Sequence, residues 1–226
     1  ARWSHAAAMS ALGLPEPLRV AVFASGRGSN LQALHQAILC GALPAQLVGV
    51  FSDKAGSGAL AYAETQRIAH SHLDPKSFAT REDFDAALMQ NVAAVCPELI
   101  VCAGFMRIIS ETGIAKAPCP MINIHPSLLP KYPGLHTHAR VLAAGDAEHG
   151  ASVHRVEPVL DGGRILTQAK IAVLPDDTPE QLAERVLAIE YPLLIATVRA
   201  IAEGRIRLNE GTGTRILWLN HRLELE

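Results

Sequence analysis

Apolar positions along the chain fall into two periods that take turns. Leu18–Ala24 (LRVAVFA) is a compact apolar run of the kind that forms a central strand buried on both faces. Leu31, Leu34, Ile38 and Leu39 then recur at helical spacing within Leu31–Cys40. The pair of patterns repeats. A strand at Leu47–Phe51 leads to a helix at Ala59–Ile68 and a short strand at Ala69–Leu73. Thr80 caps a helix that runs to about Val95 on Phe84, Leu88, Val92 and Val95. The strand Leu99–Ala103, a helix near Ser110–Ala117 and a strand from Met121 through Asn123 complete the series. Such alternation predicts an α/β fold, with a mostly parallel, doubly wound, Rossmann-like sheet in the N-terminal half.

The last third changes character. Ala151–Val156 and Ile165–Val173 read as paired antiparallel strands joined through Leu160-Asp161-Gly162-Gly163. Thr178 caps a long helix with Pro179 in its first turn, directed towards Gly204 and broken or bent at Pro192. The tail Arg205–Glu226 suggests a short strand pair, Ile206 and Leu208 with Ile216 and Trp218.

Ligands of a parallel sheet bind beyond the carboxyl ends of its strands, and three candidate stretches lie at such ends. Ser25–Asn30 (SGRGSN) joins the first strand to its helix, so backbone N–H groups at Gly26, Arg27 and Gly28 and the helix N-terminus can hold an anion. Ser29 and Asn30 are placed to cap and donate. A dinucleotide fold competes with a phosphate monoester here, as does a purely structural turn. The third position of GxGxxG is Leu31, which speaks against the dinucleotide, whereas Asp53 lies where a ribose-binding acid would sit. Met106-Arg107 follows the strand Leu99–Ala103. Asn123 and His125, two apart on a strand, share one face and offer an amide and an imidazole to a carbonyl becoming an oxyanion. The stretch to Arg140 carries Pro126, Pro130 and Pro133 and reads as a stiff loop without helix. Asp161 before two glycines is first a turn signal, and second an acid held on a tight loop near the site.

Composition narrows the classes. The chain has 226 residues, is 49% hydrophobic and carries a net charge of −2, so neither nucleic acid nor an acidic membrane surface is an expected partner. No apolar run reaches membrane-spanning length. Cys40, Cys96, Cys102 and Cys119 form no CxxC pair and sit mostly in apolar company, which suggests reduced thiols and a cytoplasmic home. Five histidines (His125, His136, His138, His149, His154) fall within thirty residues, but His136-x-His138 alone is a weak ligand pattern and HExxH is absent, so no metal is expected. Residues 1–18 read as an N-terminal extension, an expression scar ahead of Met9. Residues 19–208 read as one catalytic domain and 209–226 as a tail.

Taken together, GRGSN at Gly26–Asn30, AGFMRI at Ala103–Ile108, NIHPSLLPKYPGLHTH at Asn123–His138, HGASVH at His149–His154 and LDGG at Leu160–Gly163 resemble the phosphoribosylglycinamide formyltransferases. The resemblance runs from about Arg19 to Leu208. It implies formyl transfer from 10-formyltetrahydrofolate, as co-substrate, to the amine of glycinamide ribonucleotide in purine synthesis. It implies Asn123, His125 and Asp161 as catalytic residues. Gly26, Arg27, Gly28, Ser29 and Asn30 would form the 5′-phosphate cradle, and Glu190 would contact the ribonucleotide. Arg81, Met106, Arg107, Ile108 and Asn123 would face the folate. No resident metal or cofactor follows from it, and monomer and homodimer are both compatible. One departure concerns Glu190: the family's helix continues a few residues before Tyr-Pro, whereas here Tyr191-Pro192 follows at once, three residues short.

For that reaction the nucleophile belongs to the substrate. A glycyl amine resembles a chain-terminal amine of pKa about 7.7–8.0, so roughly a tenth to a fifth is neutral at pH 7. His125, as donor, and the Asn123 amide would stabilise the tetrahedral oxyanion. Asp161 would either keep His125 charged or relay a proton from the attacking nitrogen to the leaving folate nitrogen. Rival readings are a formyl-folate hydrolase, a methionyl-tRNA formyltransferase, a non-catalytic nucleotide-binding module and an NAD-dependent oxidoreductase. The first two would carry an extra N-terminal domain and an extra basic C-terminal domain respectively.

Overall fold

The computed structural model describes residues 16–209 and 216–226. Eight strands form one sheet in the order β3-β2-β1-β4-β5-β6-β7-β8. β1 (Leu18–Phe23), β2 (Ala45–Ser52), β3 (His70–His72), β4 (Leu99–Cys102) and β5 (Met121–His125) pair in parallel. β6 (Glu148–Arg155) then runs antiparallel to β5, and β7 (Ile165–Ala172) antiparallel to β6.

Two apolar layers cover the sheet, and strand parity decides which residue enters which. Val20, Val22, Val101, Ile122 and Ile124 point into one layer. Helices α1 (Ser29–Leu39), α2 (Gly58–Thr65) and α6 (Pro179–Ala202) pack there through residues such as Leu34, Leu60 and Leu193. Ala21, Phe23, Ile100 and Met121 point into the other, against Phe84, Leu88 and Val92 of α3 (Arg81–Ala93), with α4 (Glu111–Ala115) beside it. Strands buried on both faces in this way explain the unbroken apolar runs of the sequence.

The expected elements are present with three corrections. A helix, α5 (Thr137–Ala144), occupies a stretch read as loop; it begins only after the last proline and buries Thr137 and Val141. Pro192 does not end α6, which carries the expected Thr178 cap and a reciprocal capping box with Gln181. Pro192 forfeits one helix hydrogen bond and costs roughly 3 kcal/mol. Burying Leu193 and Leu194 fully offsets much of that, at about 1.5–3 kcal/mol each. The tail forms no strand pair of the expected kind: Ile206 and Leu208 are buried outside any strand, and β8 (Leu217–Trp218) adds in parallel to β7. Most of the N-terminal extension lies outside the described residues. Cys40 and Cys96 are exposed, contrary to the apolar setting expected of them, while burial pushes the Cys102 and Cys119 thiols up to about 12. No helix among the described residues is long and apolar enough to cross a membrane.

Candidate active site

The strand order reverses direction between β1 and β4, and a crevice opens at their carboxyl ends. It forms a cleft of about 710 Å³ that the Gly26–Asn30 loop, the 104–109 segment, the end of β5 and the loop before β7 share.

At one end is the glycine loop. Gly28 adopts φ +76°, and a Cβ there would lie 2.9 Å from Ala59 Cα, so both backbone and space demand glycine. As N-cap of α1 it supplies no side chain to the first-turn amides, and the residues around them line the cleft. Open amides at a helix N-terminus form an anion site. Ser29 and Asn30 do not cap the helix as expected. Asn30 instead donates from Nδ2 to Glu190 Oε2 at 2.8 Å, which places Glu190 of α6 beside the glycine loop in the cleft. Burial raises the Glu190 pKa against the opposing effect of Asn30. Asp53 is no ribose ligand here; it is buried and accepts from Ser25 Oγ at 2.5 Å.

At the middle of the cleft β5 presents Asn123 and His125 on the face opposite Ile122 and Ile124. Antiparallel register sets His154 of β6 directly beside Asn123, and their side chains meet, Asn123 Nδ2 to His154 Nε2, at 3.1 Å. His154 Nδ1 lies 2.8 Å from the Arg155 carbonyl. A carbonyl only accepts, so Nδ1 carries the proton and Nε2 receives one amide hydrogen of Asn123. The second amide hydrogen is left for the cleft. His125 is fixed likewise: Nε2 donates to the Tyr132 carbonyl at 3.0 Å, which leaves Nδ1 facing Asp161 Oδ2 at 3.4 Å.

Asp161 stands between the two imidazoles, its Oδ1 3.5 Å from His154 Nε2. It also accepts from the Gly134 N–H at 2.8 Å. Burial alone would raise its pKa; the Gly134 N–H that it accepts and the neighbouring His125 oppose that and hold it below the usual carboxylate range. Burial lowers the His125 pKa, and the Tyr132 carbonyl and the Asp161 charge oppose this only in part. Its imidazole is therefore held towards the neutral form in the empty cleft.

The loop carrying Tyr132 is tied down beneath the site. Ser152 Oγ donates to Ser127 O at 2.6 Å and accepts from Leu129 N at 3.0 Å, and Gln168 Nε2 donates to Leu129 O at 2.8 Å. One wall of the cleft is apolar. Met106, Ile108, Leu135, Val159 and Leu160 all line it, and they are five of the nine large apolar side chains that stand exposed among the described residues. Arg107 lines the same wall, its guanidinium 4.9 Å above the Phe84 ring.

Most sequence candidates thus converge, but Arg81 does not. It lies exposed at the start of α3, 3.9 Å from Glu82, and lines no part of the cleft. His154 and Tyr132 went unassigned. His154 figured as a possible metal ligand and within HGASVH, but the register that sets it opposite Asn123 is not written in the sequence; Tyr132 acts through its backbone, which no side-chain pattern marks. Among the described residues no group of three His, Cys, Asp or Glu is arranged to hold a metal ion.

The profile of the formyl transferase family matches residues 18–198. The chain belongs to this family. Its sequence is 38% identical over 203 residues to the phosphoribosylglycinamide formyltransferase of Escherichia coli, covering 90% of this chain and 94% of that protein. Glycinamide ribonucleotide transformylase 1 of Symbiobacterium toebii superposes with a TM-score of 0.83 at 37% identity, over 87% of this chain and 92% of that one. The phosphoribosylglycinamide formyltransferase of Coxiella burnetii, solved with CHES, gives 0.81 at 42% identity, over 86% and 92%.

Proposed function

We propose that the protein transfers the formyl group of 10-formyltetrahydrofolate to the amine of glycinamide ribonucleotide, giving formylglycinamide ribonucleotide and tetrahydrofolate in purine synthesis. The observation that carries the proposal is one cleft lined together by an anion loop, by an apolar wall, and by Asn123, His125 and Asp161. The ribonucleotide phosphate sits on the amides of Gly26–Asn30, with Glu190 towards the sugar. The flat folate ring lies between Met106, Arg107 and Ile108 and the Val159–Leu160 loop.

Binding both substrates in one cleft supplies most of the rate by proximity. The neutral glycyl nitrogen attacks the formyl carbon, and the carbonyl π pair moves onto oxygen. The free Asn123 amide hydrogen meets that oxyanion, and His125 meets it as a donor only when a second proton, taken up from solvent as the negative charge forms, sits on Nδ1. His154 holds the Asn123 amide in the donating orientation, and the Tyr132 carbonyl aims the imidazole. The attacking nitrogen must then lose a proton and the folate nitrogen gain one before the C–N bond to folate breaks. Asp161, kept ionised, serves that transfer through water and stabilises the His125 imidazolium.

Residues 19–208 are the catalytic unit in this reading, acting in the cytoplasm as a monomer or homodimer without a resident metal. The test follows folate absorbance in purified protein. Formyl loss that requires glycinamide ribonucleotide supports the transferase; equal loss in water alone supports a hydrolase and defeats the proposal.

A further inference from the structure

Between the anion loop and the apolar rim lies a buried hydroxyl–carboxylate pair that the chemical steps leave without a task. Ser25 follows β1 and immediately precedes Gly26. Its N–H donates to the Gly104 carbonyl at 3.0 Å, and its Oγ accepts from the Met106 N–H at 2.9 Å. Ser25 therefore grips the 104–106 segment at two points. Its own hydroxyl proton goes to Asp53 Oδ1 at 2.5 Å, and both side chains are buried, at 9% and 6% exposure. A lone serine hydroxyl rotates to suit its surroundings, and here the Met106 N–H already occupies it as acceptor while Asp53 Oδ1 receives its proton. Asp53 thus directs the proton towards the end of β2 and keeps the Ser25 oxygen an acceptor for Met106.

The next residue in the chain opens the anion loop. Gly26 O accepts from Ala59 N at 3.1 Å, and a Cβ on Gly58 would lie 2.9 Å from Arg27 O, so the loop is seated closely on the start of α2. A loop held on that side transmits its position to Ser25. Met106, at the other end of the connection, is 69% exposed on the apolar rim.

The geometry points to Ser25 and Asp53 as positioning residues that couple the two substrate subsites. A phosphate ester held by residues 26–30 sets Ser25, Ser25 sets the Met106 backbone, and the rim that receives the folate ring is ordered by the ribonucleotide. By reciprocity, folate tightens the ribonucleotide by the same factor. This inference rests on the functional reading above and adds to it how the subsites communicate.

Tetrahydrofolate, which cannot react, is titrated into the full chain with and without glycinamide ribonucleotide. The expected ratio of the two dissociation constants is about fivefold or more for the unaltered protein. Ser25→Ala and Asp53→Ala bring the ratio close to one. Asp53→Asn, whose amide oxygen can still accept the Ser25 proton, restores most of it. Thermal melts accompany each variant, and the Asp53 pair gives the answer if Ser25→Ala fails to fold. A ratio near one in the unaltered protein, or an undiminished ratio in the alanine variants, overturns the coupling. Formyl transfer is assayed on the same samples. No transfer by the unaltered protein defeats the functional reading itself, whereas normal transfer with an undiminished ratio defeats the coupling alone.

Discussion

Asp161 has φ +50°, a left-handed conformation that costs a non-glycine residue about 1–2 kcal/mol. Asparagine tolerates this region as well as aspartate does and can still accept the Gly134 N–H, so Asp161→Asn isolates the loss of charge. Its expected turnover is about a hundredfold lower, with a urea midpoint close to that of the unaltered protein; full activity in this variant would remove Asp161 from the mechanism. His125→Ala deletes an oxyanion donor, and such donors are worth about 10²–10³ in kcat. Steady-state kinetics should show that loss in kcat while the KM for the ribonucleotide, set by a loop at the other end of the cleft, stays within a few-fold.

At this scale the sequence was informative where function shows as an unusual side-chain pairing. Asn123-x-His125 at a strand end and Asp161 before two glycines were readable. What holds them in place was not. The Ser152–Gln168 tie and the Ser25–Asp53 pair join residues on different strands or strand ends, which only the sheet brings together, and the Tyr132 carbonyl reaches His125 through the path of a loop that no side-chain pattern marks.

Among the elements, the turn before β7 is closely constrained. A Cβ on Gly163 would come within 2.0 Å of the Arg155 carbonyl oxygen, which is backbone and cannot step aside. Gly163→Ala must shift the turn that carries Asp161. Overpacking of this kind costs about 1–3 kcal/mol, and the expected result is a lower urea midpoint together with reduced turnover; a variant unchanged in both would contradict the close approach.

Strands and long helices were legible because burial on two faces, or on one helical stripe, leaves a period in the sequence. Helix α5 was not. It is eight residues long, follows three prolines and starts beyond His136 at φ +58°, and buries only Thr137 and Val141. So narrow a stripe leaves little period to detect. Pro192 was expected to interrupt or bend α6; the helix runs through it without interruption, because its apolar packing outweighs one lost hydrogen bond.

At the scale of the whole molecule, pH acts on stability through His149. This side chain is 1% exposed on β6, its Nε2 lies 3.1 Å from His138 Nδ1, and burial lowers its pKa to about 4. An imidazole depressed in the folded state binds its proton first in the unfolded chain. The stability it contributes is complete above pH 6.5 and is lost as pH falls towards 4. At about 1.36 kcal/mol per pKa unit the loss is roughly 2–3 kcal/mol. Thermal melts between pH 7 and pH 4 should show a falling midpoint, and His149→Gln should flatten the slope; an equal slope in that variant would assign the acid sensitivity elsewhere.

The sheet order also explains why one chain can bring an anion, a sugar and a flat apolar ring to a single place. The reversal between β1 and β4 opens the crevice, and the antiparallel β6 and β7 deliver His154 and the Asp161 turn to its far wall. The central claim is that both substrates lie across this cleft at once, with the carbonyl beside Asn123 and His125. The most direct measurement uses a single adduct that joins the folate nitrogen to the glycinamide amine through one carbon. The account predicts one adduct bound per chain, competitive against the folate and against the ribonucleotide alike, and weakened by both His125→Ala and Gly28→Ala. Competition with one substrate only, or two adducts per chain, would contradict it.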